Sequence, residues 1–230
     1  MNAPRTARER ARAEITREIT DAARRQLAES GAPALSLRAI ARELGMVSSA
    51  LYRYFPSRDD LLTALIIEAY DAIGAAVEKA AGAAQTPRAQ WREVSKAVRA
   101  WAIAHPHEYA LVYGSPVPGY QAPEATVAHA ARVPIVALGI VRQAWENGTL
   151  DVTAETLAPE LAAQSGGIAA QVAPGVPEVA VARTVLAWTQ LFGAVTFELF
   201  GQLKNSMDPA EPFFDYYVES MADFIGLRTS

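Results

Sequence analysis

The sequence predicts an all-α protein, and three observations support this. Alanine, which has the best intrinsic helix propensity, recurs throughout the 230 residues. Apolar residues return at the three- and four-residue spacing of an amphipathic helix in most segments. Glycine and proline clusters separate these segments, whereas β-branched or aromatic runs bounded by turn residues are scarce. We expect about nine or ten helices.

Four helices are predicted in the first third of the chain. The first covers residues 8–30 and ends at an SGAP break, because glycine and proline terminate helices. The second opens at Ser36, a good N-cap residue, and stops at Gly45 after about two turns. The third is a short helix over about 48–55. A Pro-Ser break follows, and Ser57 begins the fourth helix.

The rest of the chain is also predicted to be helical. Its proposed helices are 88–105, 107–114, 125–147, 155–172, 178–203 and 212–227. Pro134 predicts a kink near 130–134, and Pro159 with Gly166-Gly167 is expected to interrupt the helix over 155–172. The segment SPVPGYQAPE, residues 115–124, is rich in proline and glycine and must be a loop.

Composition excludes several classes of function. There is no cysteine, which rules out disulfides and thiol chemistry and favours the cytoplasm. The first residues are polar and charged, unlike a signal peptide. The longest apolar run, residues 133–141, is far shorter than the roughly 20 residues of a membrane span. We expect a soluble cytoplasmic protein with no membrane contact, no cofactor and no metal.

Charge is distributed unevenly along the chain. Residues 1–58 carry 11 arginines and 6 acidic residues, a local charge of +5. The remaining residues carry a local charge of −9. A basic head on an acidic body is typical of a nucleic-acid-binding domain joined to a second domain. We therefore predict a DNA-binding domain over 1–58 and a second domain over 59–230.

The basic head contains the pattern of a helix-turn-helix, over about residues 36–55. Two short helices meet through Gly45, which tolerates the positive φ of a tight turn, and a longer helix flanks them on either side. The segment LSLRAIARELGMVSSALYRYFPSRDDLL, residues 35–62, closely resembles the DNA-binding region of the TetR family of bacterial transcriptional regulators. The resemblance covers about residues 15–70.

This resemblance implies roles for individual residues. It places the exposed face of the third helix in the major groove, so that the residues expected to contact base edges are Ser48, Ser49 and Arg53. The residues expected to contact phosphate are Ser36, Arg38, Tyr52, Tyr54 and Arg58. For Arg5, Arg8, Arg10 and Arg12 two interpretations stay open: further contacts from a flexible N-terminal arm, or a charged tail that is simply solvated.

Val47 departs from the family pattern, in which serine often caps the recognition helix. Valine is a poor N-cap, and the difference is worth about 0.5–2 kcal/mol. Ser48 then has two open roles, because it either takes over the cap or contacts a base. Ser49 and Arg53 are the safer pair.

Residues from about 60 onward resemble the ligand-binding and dimerising part of the same family. AWTQLFGAVTFELFG, residues 187–201, resembles a C-terminal domain with a Trp-His-Gly signature, in which Trp188 and Gly193 match but Phe192 replaces the histidine. The resemblance implies a homodimer on a palindromic operator in double-stranded DNA. It also implies a small, largely apolar effector, and a repressor that the effector releases from DNA.

Two sets of residues follow for this second domain. The aromatic and polar residues that are candidates to line an effector pocket are Trp101, Tyr109, Tyr113, His129, Gln143, Trp145, Trp188 and Gln190. The alternative is that most of them are core or interface residues. The helix over 178–203 is apolar around most of its circumference, which is typical of an interface. The residues expected in the dimer interface are Leu191, Val195, Leu199, Phe213 and Tyr217.

The alternative is a helical small-molecule-binding protein or an enzyme without DNA binding. An enzyme needs a convergent set of nucleophile, base or metal ligands. His105 and His107 are two residues apart, so they do not face one site on a helix. With only three histidines and no cysteine, we expect no catalytic activity.

Overall fold

The computed structural model describes residues 6–152 and 154–228, and the described chain is all-α as predicted. Apart from an isolated antiparallel bridge between Leu150 and Leu227, this part of the chain contains no β-structure. It forms two 3₁₀ turns, Ala32–Ala34 and Glu124–Thr126. Its α-helices are α1 (Ala7–Ser30), α2 (Leu37–Glu43), α3 (Ser48–Leu51), α4 (Arg58–Ala83), α5 (Pro87–Ala104), α6 (Pro106–Tyr113), α7 (Val127–Ala130), α8 (Arg132–Glu146), α9 (Pro159–Val172), α10 (Glu178–Leu199) and α11 (Glu211–Ile225).

The helix count among the described residues is eleven rather than nine or ten, because the helix expected over 125–147 is two helices. The break falls at Ala131, and Pro134 lies in the first turn of α8, where a missing N–H costs no helical hydrogen bond. α9 was expected to be interrupted, yet it is continuous. Pro159 is its first residue, a position that favours proline, and Gly166-Gly167 lies within it.

The first compact unit consists of residues up to 69 together with 105–127. Its core is formed by Ile19 of α1, Ile40 of α2, Leu51 of α3 and Leu61 of α4, each fully buried. α6 packs against α1 in the same unit and contributes the buried Tyr109. α1, which packs against α2 of the helix-turn-helix, is therefore itself supported by a distant segment of the chain. The boundary predicted between residues 58 and 59 stays a prediction.

The second compact unit consists of residues 70–104 and 128–228, and it is built around α10. This helix packs against α5, α8, α9 and α11. Arg88 on α5 is 9% exposed and ties α5 to the end of the chain. Its guanidinium donates to the Glu219 carboxylate at 2.7 Å, to Asp223 at 2.5 Å and to the Leu227 carbonyl at 2.8 Å.

α10 is long and apolar enough to cross a membrane by length and composition alone, with a mean hydropathy of 1.3. The broken pair Glu124–Ala130 and Arg132–Glu146 would meet the same criterion if it counted as one span. One or two such helices are weak support for a membrane span, because the core helix of a soluble protein passes the same test.

Candidate nucleic-acid interface

The turn between α2 and α3 has the geometry that the sequence predicted. Ser36 is the N-cap of α2, and its hydroxyl accepts a hydrogen bond from the Ala39 N–H at 3.4 Å. Gly45 has a φ of +65°, a left-handed conformation that glycine adopts without strain. The Met46 N–H donates to the Ala41 carbonyl at 2.8 Å, which satisfies the end of α2. The turn is therefore closed by backbone hydrogen bonds.

The third helix is shorter than predicted. α3 covers only Ser48–Leu51, and the chain continues to residue 54 as turns rather than as the helix expected over 48–55. Leu51 is fully buried and Phe55 is 7% exposed, so these two side chains hold the segment on the core. Ser49, Tyr52 and Arg53 are exposed on the other side. One face thus packs and the other is available to a ligand.

Val47 is the N-cap of α3, and no side chain caps this helix. The Val47 side chain is 70% exposed. Ser48 is the first helical residue and does not take over the cap, so the first of its two open roles is not used in this structure. Its exposed side chain lies beside that of Ser49 along the chain.

The residues predicted to contact phosphate differ in their environments. Arg38 lies in the first turn of α2 and is exposed, as is Tyr52. The Ser36 N–H donates to the Gln26 side chain at 2.7 Å, which fixes the start of α2 on α1. Arg58 is half-buried and donates to the Ala32 carbonyl at 2.8 Å. Arg58 therefore also supports the turn before α2.

Three of the four N-terminal arginines lie in a helix rather than on the expected flexible arm. Thr6 and Glu9 form a reciprocal capping box at the start of α1, so Arg8, Arg10 and Arg12 are helical. Arg5 lies outside the described residues. This correction has a local cause: the Thr-Ala-Arg-Glu sequence is a capping-box signature that sequence reasoning overlooked.

Arg12 makes the contact that sequence reasoning missed. Its guanidinium donates to the Arg53 carbonyl at 3.3 Å and lies 5.0 Å from the centre of the Tyr54 ring. The partners are about 40 residues apart in sequence, so no local pattern announces the contact. Arg12 thus touches the chain near the end of residues 48–55, here called the recognition segment.

The residues predicted to line an effector pocket are divided between the two units. Tyr109 and Tyr113 lie in the first unit, with ring centres 5.3 Å apart. In the second unit, Trp101 is buried and Gln143 is half-buried, whereas Trp145 and Gln190 are exposed. The two exposed side chains face solvent in this structure.

Two more of these residues have defined partners in the second unit. The ring of half-buried Trp188 meets Phe192 edge-on at 5.8 Å, so the phenylalanine that replaces the signature histidine is a packing residue. His129 Nδ1 lies 2.7 Å from the Asp71 carboxylate. Burial acts to raise the pKa of Asp71, but hydrogen bonds with His129 and Arg132 outweigh it and lower that pKa.

The residues predicted in a dimer interface are not equally available. Leu191 and Val195 are buried inside a single chain, at 2% and 0% exposure, so neither has surface to present to a partner. Leu199 and Phe213 are half-buried. Tyr217 is half-buried too, and its hydroxyl donates to the Ala187 carbonyl at 2.8 Å.

A different set of apolar side chains is exposed on α10 and at Phe200, the C-cap residue of this helix. Leu186, Phe197 and Phe200 leave about half of their surface open, at 47%, 53% and 47%. Gln190 and Gly193 lie between them and are also exposed. The spacing of four and three residues puts all five on one helical stripe, here called the α10 stripe. The predicted interface residues Leu191 and Val195 are not part of this exposed stripe, and the position of a dimer interface stays a prediction.

Residues 6–152 and 154–228 contain no group of three or more His, Asp or Glu side chains that could hold a metal ion. The exposed side chains at the candidate interface carry hydroxyl and guanidinium groups. In protein–DNA complexes generally, groups of these two kinds donate to phosphate oxygens and to base edges in the major groove.

The fold and this interface together define a class of protein, the helix-turn-helix transcriptional regulators. Residues 19–65 match the family model described as bacterial regulatory proteins, tetR family. Residues 91–221, more than half of the chain, match the model described as tetracyclin repressor-like, C-terminal domain. The chain belongs to the TetR family of bacterial transcriptional regulators.

Individual relatives agree with this assignment. The chain is 39% identical over 211 residues to HTH-type transcriptional regulators of Mycobacterium bovis and Mycobacterium tuberculosis, covering 88% of this chain and 89% of those proteins. The crystal structure of the regulatory protein SCO4313 is similar over 96% of this chain and 100% of that chain, with 31% identity and a TM-score of 0.78. A protein of unknown function from Rhodococcus sp. RHA1 is 25% identical, covers 92% of this chain and 93% of that chain, and has a TM-score of 0.68.

Proposed function

We propose that the protein is a cytoplasmic, ligand-responsive repressor that binds a palindromic operator as a homodimer. The observation that carries this proposal is the division of the recognition segment into two faces. Leu51 and Phe55 are buried, while Ser49 and Arg53 are exposed. A short segment that packs on the core through its apolar face and exposes a polar face is suited to binding in the major groove.

Base reading is assigned to Ser49 and Arg53, with Ser48 beside them. The arginine fork matches the O6 and N7 acceptors of guanine, whereas serine donates to or accepts from any base. Phosphate contact is assigned to Ser36, Arg38, Tyr52, Tyr54 and Arg58. Arg38 is supported by its place in the first turn of α2, because the N-terminus of a helix favours anions.

The dimer is proposed to form through the α10 stripe. Its phenylalanine and leucine side chains are large apolar groups at the surface of one chain, and covering them with a second copy removes them from water. The exposed Gly193 at the centre of the stripe allows two copies of α10 to approach closely. A symmetric dimer presents two recognition helices to half-sites roughly 34–36 Å apart.

The effector is proposed to bind in the second unit and to be small and largely apolar, with one polar group. Ser95 on α5 is fully buried, and its hydroxyl has no hydrogen-bond partner within the described part of the chain. The Nε1 atom of Trp188 on α10 is also buried and has no hydrogen-bond partner among the described residues. Buried polar atoms are normally paired, so these two atoms favour a ligand that carries an acceptor. Such a ligand lowers DNA affinity by binding more tightly to a conformer that does not fit the operator.

Selection of bound duplexes from a random pool tests the DNA-binding proposal. We expect an inverted repeat to be enriched by the wild-type protein. Arg53→Ala should change the enriched bases, because it removes a base contact. Arg38→Ala should keep the same bases but weaken binding to every duplex and reduce the salt dependence by about one counterion.

An unselective wild-type protein would contradict the proposal, and identical behaviour of the two variants would contradict the role assignment. Repeating the selection in the presence of candidate apolar compounds tests the effector. A compound that binds the protein should lower the yield of selected duplex, and Ser95→Ala should weaken that response without changing DNA affinity in its absence.

A further inference from the structure

We propose that Arg12 is a positioning residue that holds the end of the recognition segment and thereby sharpens the choice between DNA sequences. This inference rests on the proposed DNA-binding function. Arg12 makes two contacts with this segment: its guanidinium donates to the Arg53 carbonyl at 3.3 Å and lies 5.0 Å from the Tyr54 ring centre. Arg12 therefore grips the backbone of one residue and the side chain of the next.

The recognition segment needs support from outside itself. α3 is only four residues long, and its N-cap Val47 offers no side-chain hydrogen bond. A helix of about one turn is unfavourable in isolation, since nucleation fixes several residues for a single hydrogen bond. Leu51 and Phe55 anchor the buried side. On the exposed side, Arg12 is the one described side chain from another element that hydrogen-bonds to the recognition segment.

The place where Arg12 acts suits a cation. The last carbonyls of a helix have no partner within the helix, and they form the negative end of its dipole. The Arg53 carbonyl lies just past α3 and accepts from Arg12. Arg53 also carries the side chain assigned to read a base. Fixing its carbonyl restricts the backbone from which that side chain projects.

Tyr54 completes the grip. A planar guanidinium stacks on an aromatic face while still donating hydrogen bonds at its edge, a combination that lysine lacks. Tyr54 is half-buried, so its ring offers a supported face for this contact. Arg12 itself belongs to a 24-residue helix that begins with a capping box and packs through Ile19. Arg12 therefore projects from a regular helix that is anchored in the core from Ile19 onward.

The competing role for Arg12 is a direct contact with a phosphate. Such a contact adds affinity equally for all sequences and survives replacement by lysine, which keeps the charge. A positioning role instead affects the preferred sequence more than others, and it needs the arginine fork. The two roles are separated by specificity, and not by affinity alone.

The test uses Arg12→Lys and Arg12→Gln, with Arg10→Gln as a control that removes an exposed charge from the same helix. Affinity is measured for the selected duplex and for a scrambled duplex. We expect both Arg12 variants to lower the ratio of these affinities by about 3- to 10-fold, while Arg10→Gln leaves the ratio unchanged. Tyr54→Leu should produce a similar fall, and combining it with Arg12→Gln should add little.

A second readout needs no DNA. Hydrogen exchange of the Tyr54 and Phe55 amides, which donate to the Leu51 carbonyl at 2.8 and 3.1 Å, should be several-fold faster in Arg12→Gln than in Arg10→Gln. The inference is overturned if Arg12→Lys keeps the wild-type affinity ratio, or if exchange is unchanged in Arg12→Gln. If the wild-type protein itself shows no sequence preference, the proposed function fails, whereas the exchange result still decides whether Arg12 holds the segment.

Discussion

Truncation of Phe197 offers a quantitative test of the proposed dimer. The side chain lies on the α10 stripe and is 53% exposed in a single chain. An aromatic side chain offers about 150–250 Å², so a partner covers about 100 Å² of Phe197 in each chain. Alanine retains a minor part of that area. At about 25 cal/mol per Å² of buried apolar surface, Phe197→Ala weakens the free energy of dimerisation by about 2 kcal/mol per chain.

Symmetry doubles this loss, because each residue of a two-fold interface occurs twice. A change of about 4 kcal/mol corresponds to a dissociation constant raised by about a thousandfold. Sedimentation velocity over a wide concentration range measures it directly. We expect the variant to be monomeric at concentrations where the wild-type protein is dimeric, and to bind the selected operator only at correspondingly higher concentration.

Ile135→Ala is the matched control. Ile135 is a large apolar residue on α8 with 47% exposure, so its truncation removes a similar kind of surface away from the α10 stripe. It should leave the dissociation constant within about threefold of the wild-type value. A Phe197→Ala protein that sediments like the wild type would refute the assignment of the interface to this stripe. So would a wild-type protein that is monomeric at every concentration.

Two further predictions concern stability. Leu51→Ala should lower the free energy of unfolding by about 3 kcal/mol, measured by urea denaturation, because the side chain is fully buried and leaves a cavity beneath the recognition segment; a loss below about 1 kcal/mol would contradict this packing role. Glu219→Gln should lower the free energy of unfolding by about 1 kcal/mol at pH 7, a value that allows for solvent screening because the Glu219 side chain is 38% exposed. Hydrogen bonding from Arg92 is the largest influence on the pKa of Glu219, and with Arg88 it lowers that pKa against the opposing effect of burial. The stabilisation by the Glu219 carboxylate is therefore complete above its ordinary pKa of 4.5 and is lost as pH falls through the lower pKa of the folded state. The difference in unfolding free energy between Glu219→Gln and wild type should narrow below pH 4.5. A difference that stays constant down to about pH 3 would contradict the stabilising role of this ion pair.

Sequence reasoning predicted most where the signal is local. The Ser36 cap, the Gly45 turn and the end of α5 before Pro106 depend on one or two residues each, and the structure has them where they were expected. The length of α3 was overestimated, because an apolar pattern at 51 and 55 does not distinguish a helix from successive turns. Hydrogen-bond geometry decides that difference.

The proposed effector site was the least predictable feature. Aromatic and polar residues on apolar helices are compatible with a pocket, a core or an exposed surface, and periodicity does not separate these environments. The structure buries Trp101 and Tyr109, exposes Trp145 and Gln190, and pairs His129 with Asp71. It also singles out Ser95, whose buried hydroxyl has no hydrogen-bond partner among the described residues and which no sequence pattern would have marked.

The sequence by itself determined the all-α class, the helix-turn-helix and the residues that face away from its core, because capping, turn chemistry and helical periodicity act over a few residues. Only the tertiary structure decided that Arg12 contacts Arg53 and Tyr54. It also decided that Leu191 and Val195 are buried within one chain and that the α10 stripe is exposed to solvent. These outcomes depend on which helices pack together. Packing joins residues that are distant along the chain, and so it leaves no local signature in the sequence.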